Sequence, residues 1–306
     1  MRAQTHLPVS APPAISRAQA WLLASRPKTL PAAFAPVMVG TAVAYAEGAF
    51  TPLPAVMALL CALLIQIATN LANDYFDYIK GADTEHRIGP VRVVQSGLIP
   101  PETVRNVMIG VLAVTFLLGL YLVYLGGWPV LLIGIASLVC AVLYTAGPWP
   151  LAYVGLGDVF VFLFFGIVAV TGTHFVQALY WSPDALLASL PIGALSTAIL
   201  VVNNYRDIDT DKLTGKRTLA VRIGKSATRT QYYVLLAGAF LYPTLHLLAG
   251  HSLLYVFPLL TAPLAFYAAR IVASQSDGQA LNHALAMTGR LLAIYATLLS
   301  VAITFG

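Results

Sequence analysis

Two short segments of this chain carry the residue types that do ionic chemistry. Asp74, Asp77, Asp83 and Glu85 lie in one, and Asp207, Asp209 and Asp211 in the other, so seven of the 12 acids gather at two places. Gln66, Asn70, Asp74 and Asp77 recur at i, i+4, i+8 and i+11, and Asn203, Asp207 and Asp211 at i, i+4 and i+8, which puts each set on one face of a helix. Two facing carboxylate stripes repel one another unless cations sit between them. All-oxygen donors without a Cys or His pairing select a hard ion such as Mg²⁺. Mg²⁺ takes one or two carboxylates and completes its shell with water and phosphate oxygens, so the pair describes a diphosphate clamp. Bases suited to phosphate follow each stripe: Lys80, Arg87 and Arg92 after the first, and Arg206, Lys212, Lys216 and Arg217 around the second. Lone acids elsewhere, such as Glu47, Glu102, Asp184 and Asp277, read as a solvated rim. Asp158 reads as a helix cap.

The elements that carry these stripes are membrane helices. The 306 residues are 59% hydrophobic and 9% charged, with a mean hydropathy of +0.80, far from the roughly one-quarter charged residues of a soluble domain. Apolar runs long enough to cross a bilayer fall at 29–46, 54–78, 104–125, 128–146, 155–178, 184–205, 231–250, 252–273 and 283–305. This predicts an all-α membrane protein of nine spans. Residues 1–20 are polar and lack the apolar core of a secretory signal, so they read as a cytoplasmic leader. Cys61 and Cys140 fall inside spans and suggest neither disulfide nor metal; His174 and His246 read as packed against neighbouring carbonyls.

The net charge of +5 does not point to nucleic acid, because Lys and Arg are confined to the leader, the loops after the second, sixth and eighth spans, and adjoining helix ends. That segregation puts the N-terminus and both acidic clusters on the cytoplasmic side and the C-terminus on the far side. "NDYFD" at 73–77 and "NNYRD" at 203–207 share Asn-x-Tyr-x-Asp and run in the same direction, so any repeat is parallel. A secondary transporter is the non-enzyme alternative, although its acids more often lie at midplane on broken helices. A CDP-alcohol phosphotransferase would need an Asp-Gly-x-x-Ala-Arg signature that is missing here. "GKRT" at 215–218 lacks the spacing of a nucleotide loop.

"NDYFDYIKGADTEHRIGPVRVVQSG" together with "NNYRDIDTDKLTGKRTLAVRIG" resembles the paired Asp-rich signatures of the UbiA superfamily of intramembrane aromatic prenyltransferases, most closely its 1,4-dihydroxy-2-naphthoate polyprenyltransferase branch. "RPKTLPAAFAPVMVGTA" at 26–42 and "YTAGPWPLAYVGLGD" at 144–158 are similar to further family segments, so the likeness runs from about Trp21 to the last helix. Many relatives end the first motif on an acid where Gly81 stands here; Asp83, in "GADT", follows the naphthoate branch. The resemblance implies a single nine-helix transmembrane prenyltransferase domain over 21–306, wrapped around a central cavity. It implies Asp74, Asp77, Asp207 and Asp211 as catalytic residues holding Mg²⁺, with Asp83 as a further ligand. Asn70, Asn73, Asn203 and the bases Lys80, Arg87, Arg92, Arg206, Lys216 and Arg217 would bind substrate, and Arg26, Lys28, Arg87 or Arg92 would meet an anionic acceptor.

The implied reaction joins a polyprenyl diphosphate to 1,4-dihydroxy-2-naphthoate, with CO₂ lost, in the plasma (inner) membrane of a bacterium. Relatives that prenylate 4-hydroxybenzoate or haem remain alternatives. Tyr75, Tyr144 and Tyr205 are candidates to face an allylic cation, against a background of 15 tyrosines that mostly pack between helices.

Overall fold

The computed structural model describes residues 15–82, 89 and 91–306, and every regular element among them is helical. A capping box opens α1 (Arg17–Ser25): Ser16 Oγ accepts from the Gln19 N–H, and Gln19 accepts from Ser16 N–H. The residue-20 boundary of the expected leader therefore falls inside a helix, whose Ala20 and Ala24 pack with Leu71 and Ala72. After Arg26 and a turn at Pro27–Thr29, the chain bends by 51° into α2 (Pro31–Ala46).

The remaining helices are α3 (Pro52–Ile79), α4 (Pro101–Gly126), α5 (Trp128–Leu143), α6 (Gly157–Ala178), α7 (Pro183–Leu213), α8 (Leu219–Leu248), α9 (Leu253–Ser274) and α10 (Gly278–Phe305). Proline in the first turn starts α2 through α5 and α7, where its missing N–H costs nothing. A π-helical stretch, Phe162–Val168, interrupts α6, and Gly224 at φ 79° breaks α8.

Helix falls on each of the nine expected segments, but the count of nine spans is not reproduced among the described residues. Six helices are long and apolar enough to cross a bilayer, or seven if the bent α1–α2 pair is one span. The two left out have physical reasons for it. α5 is only 16 residues long, and the uncharged part of α8 beyond Arg229 is diluted by Gln231, Pro243 and His246.

α7 lies at the centre, packed against α2, α6, α8 and α10 in the largest apolar cluster. Its crossing with α6 is close: a Cβ on Gly166 would stand 2.6 Å from Gly193 Cα. Small residues let helix backbones approach where lipid offers no hydrophobic drive. α4 lies at the periphery, with Leu117 and Tyr124 exposed on its outer face.

Glu47, at the end of α2, is not the solvated rim residue expected. Its carboxylate accepts from Ser182 Oγ (2.5 Å) and Tyr180 OH (2.6 Å), and lies 2.7 Å from Nε2 of fully buried His174. His174 thus pairs with a carboxylate rather than with a helix carbonyl; His246 does meet a carbonyl, that of Tyr242. Asp158 likewise ties helices together instead of capping one, its Oδ1 accepting from Gln231 Nε2 of α8.

Partial burial works to raise the Glu47 pKa, but the hydrogen bonds from Ser182, Tyr180 and His174, with the charge of His174, leave it below the ordinary value. Its stabilisation is therefore complete above the ordinary carboxyl pKa and is lost as pH falls through the lowered one. Glu47→Ala should lower stability near neutral pH by about 2 kcal/mol, read as thermal unfolding in detergent. The gap to wild type should close on acidification.

Candidate active site

The two acidic stripes come together at one end of the bundle. Both oxygens of Asp77, near the end of α3, are engaged: Arg92 Nη2 donates to Oδ2 at 2.9 Å and Tyr153 OH to Oδ1 at 2.9 Å. Asp74, one turn earlier, accepts from the backbone N–H groups of Val93 (3.1 Å) and Val94 (3.4 Å). It anchors the segment that presents Arg92, and the buried side chains of Val93 and Val94 hold that segment against α3. Asn73 Oδ1 accepts from Thr145 Oγ1, and Lys80 Nζ donates to the carbonyls of Thr145 (2.6 Å) and Gly147 (3.1 Å). Burial pulls the Lys80 pKa below the ordinary lysine value, against the opposing pull of Asp77.

On α7, Arg206 grips Asp207 through Nε (2.7 Å) and Nη2 (2.6 Å), while Nη1 donates to Asn282 of α10 and Nη2 also to Asn203. Asp211 pairs with Lys216 at 3.9 Å. Asp209 points outward to Lys225 and takes no part. Tyr153 joins the halves: its hydroxyl is on Asp77, and its ring lies 4.9 Å from Lys80 Nζ and 5.4 Å from Lys216 Nζ. Its carbonyl accepts from Arg217 N–H, although the Arg217 side chain is exposed.

Below this polar end opens a cavity of about 530 Å³, within the usual range for small-molecule sites. Asn70, Asn73, Asp77, Arg92, Asn203 and Lys216 line it, and Arg26 and Lys28 join them from the turn after α1. Asp74, Asp207, Asp211, Lys80 and Arg206 are not on its wall and stand behind it. Asp83 and Arg87 lie outside the described residues.

Tyr153, Thr145 and Asn282 were not singled out by the sequence. Tyr153 and Thr145 sit in a connection without periodicity, inside the quoted "YTAGPWPLAYVGLGD", and Asn282 reaches the site only through the docking of α10.

The donor set at the polar end is carboxylate and carboxamide oxygen, which suits a hard divalent cation. No group of three or more His, Cys, Asp or Glu is assembled for a metal among the described residues. Mg²⁺ does not require one, since substrate phosphate and water complete its shell.

The rest of the cavity is mostly apolar and runs about 28 Å along α3, from Asp77 to Ala58 at 1.5 Å per residue. Cys61, Leu122 and Val176 line its far end. Three glycines line it toward the α4–α5 connection. Gly119 and Gly134 lie within about two turns of the α4–α5 connection. Gly172 lies one turn before Phe175, which packs against Gly126 in that connection. A Cβ on any of these three would meet nothing within 4 Å.

The chain belongs to the UbiA prenyltransferase family, whose model matches residues 33–301. It is 42% identical over 281 residues to the 1,4-dihydroxy-2-naphthoate octaprenyltransferase of Escherichia coli (strain K12), covering 90% of this chain and 91% of that one. It is 41% identical to the enzyme of the same name from Mycobacterium tuberculosis, covering 94% and 97%. Its fold matches a UbiA homologue from Aeropyrum pernix with a TM-score of 0.68 at 14% identity, covering 88% of this chain and 97% of that one.

Leucine at Gly134 or Gly172 projects into open space, so thermal unfolding in detergent should stay within about 1 kcal/mol of wild type. Gly166→Leu, which drives a side chain into α7, should cost about 3 kcal/mol.

Proposed function

We propose that this chain transfers a polyprenyl group from its diphosphate to 1,4-dihydroxy-2-naphthoate. The allylic C–O bond breaks, a C–C bond forms to the ring, and the ring carboxylate leaves as CO₂. The observation that carries the reading is the union of both Asp-rich segments, through Tyr153, at the mouth of a long apolar cavity. The names of the relatives at 41–42% identity support the choice of acceptor. A UbiA homologue from Archaeoglobus fulgidus, of like fold with a TM-score of 0.65 at 16% identity, covering 94% of this chain and 99% of that one, is described as bound to DMAPP and Mg²⁺.

Asp77 and Asp207, with Asp74, Asp211 and Asp83 in support, would hold Mg²⁺, which when bound neutralises charge on the departing diphosphate. Arg92 and Arg206, each now spent on an aspartate, have the bidentate geometry to turn to phosphate oxygens. Lys80 and Lys216 add positive charge close to the Tyr153 ring. Asn70, Asn73 and Asn203 offer amides along the same wall, and Arg217, exposed and tied through its backbone to Tyr153, would add a further cation. The isoprenoid tail lies in the apolar shaft, shielding the allylic cation from water. Arg26 and Lys28 face the acceptor carboxylate. In this reading α5 and α8 are the fourth and seventh of nine spans of one domain in the plasma (inner) membrane of a bacterium. The N-terminus and polar end are cytoplasmic, and the C-terminus is on the far side.

The test uses membranes containing the protein, labelled prenyl diphosphates and either 1,4-dihydroxy-2-naphthoate or 4-hydroxybenzoate. The naphthoate should be alkylated and EDTA should stop turnover. Asp77→Ala or Asp207→Ala should lower kcat at least 10³-fold while the protein still inserts, about 4 kcal/mol of transition-state stabilisation. Full turnover in EDTA, or alkylation of the benzoate alone, would reject the assignment.

A further inference from the structure

Three glycines interrupt the bulky lining of the apolar shaft. On α4 the cavity-facing stripe runs Phe116, Gly119, Val123; on α5 it runs Leu131, Gly134, Leu138; on α6 it runs Val168, Gly172, Val176. Steps of three or four residues keep each trio on one helix face, and every member lines the cavity. Each glycine therefore leaves a gap toward the shaft, between two larger side chains on the same face.

Nothing in the packing asks for glycine at these positions. Gly40, Gly166 and Gly193 let helix backbones approach, and a Cβ on any of them would stand 3.0 Å or less from a neighbouring helix. A Cβ on Gly119, Gly134 or Gly172 would meet nothing within 4 Å, and none of the three has a positive φ. Glycine weakens a helix interior more than any residue but proline, and here no close approach offsets that cost. What the three supply is room inside the shaft.

That room lies far from the polar end. Gly134 is about 15 Å from Tyr144 along α5, and Gly172 about 21 Å from Asp158 along α6. A short isoprenoid whose diphosphate is held at the polar end stops before it reaches them. A long one must pass them.

We propose that Gly119, Gly134 and Gly172 set the length of isoprenoid chain that the shaft accepts. The inference rests on the prenyl-transfer reading above and deepens it, by naming the residues that select the donor. An isobutyl group at any of the three would fill space that a long tail otherwise occupies. Overfilling a packed site by a few carbons weakens it roughly ten- to a hundredfold, and a tail that ends short of the glycines escapes the penalty.

The test offers membranes containing the protein an equimolar mixture of geranyl, geranylgeranyl and octaprenyl diphosphates, with 1,4-dihydroxy-2-naphthoate and Mg²⁺. Product lengths are read by mass spectrometry, and such competition gives the ratio of kcat/KM values directly. Gly134→Leu and Gly172→Leu should lower the ratio of octaprenyl to geranyl product at least about tenfold against wild type. Gly119→Leu should lower it in the same direction, and alanine at each position by less. Gly110 and Gly238 also have open space around them, but they are exposed and lie off the cavity wall. Gly110→Leu and Gly238→Leu should therefore keep the wild-type ratio. Should a leucine variant fail to insert, the alanine variant of the same glycine is read the same way.

A ratio unchanged in all three cavity variants, or one that falls as far in Gly110→Leu, would overturn the proposal. Failure of the acceptor reading shows differently: wild type would bind prenyl diphosphates but alkylate no naphthoate. Calorimetric affinities for the same three diphosphates then decide the role of the glycines by the same ratio. A wild type that binds none of the three would reject the prenyl-transfer reading and this inference with it.

Discussion

Everything at the polar end follows from the cost of carrying carboxylates inside a body built for lipid. An ionised aspartate away from water must be paired and hydrogen-bonded or it will not stay charged. The chain meets this demand locally for each acid: Arg92 and Tyr153 for Asp77, two backbone amides for Asp74, the fork of Arg206 for Asp207 and Lys216 for Asp211. The partners are guanidinium and ammonium groups, a tyrosine hydroxyl and backbone amides. A site satisfied this way keeps its charge at rest and still has Arg and Lys to give when a doubly charged group arrives.

The scaffold serves that arrangement by keeping one end tight and the shaft open. Gly166 and Gly193 bring α6 and α7 into near contact, and the cluster around Glu47 clasps the opposite end of α2 to the loop before α7. Between these fixed points, Gly119, Gly134 and Gly172 leave space unfilled. Glycine thus plays opposite parts in one bundle, closing helices together where a Cβ would clash and widening the bore where it would not.

Much of this was legible in the sequence because helical periodicity is a local property. The 3.6-residue spacing of Asn70, Asp74 and Asp77 placed them on one stripe, and the apolar runs marked where helix would form. What could not be read is what depends on another element arriving. Asp74 looks like any other stripe aspartate until the 93–94 amides fold onto it. Glu47 looks like a rim acid until Ser182, Tyr180 and His174 converge from distant positions. Tyr153 lies in an aperiodic connection, so no pattern singled it out of the 15 tyrosines. The span count fell short for a local reason: α5 and α8 are helices as expected, but α5 is short and the uncharged part of α8 carries Gln231, Pro243 and His246.

The central claim is that the α3 and α7 clusters act on one diphosphate rather than as two separate charge pairs. Calorimetric binding of a non-hydrolysable prenyl diphosphate analogue, with Mg²⁺ present, tests it directly in wild type, Asp77→Asn, Asp207→Asn and the double variant. If one ligand is shared, each single change weakens binding and the double change departs from the sum by at least about 0.5 kcal/mol. Strict additivity, or a cluster whose loss leaves affinity unchanged, would contradict the account.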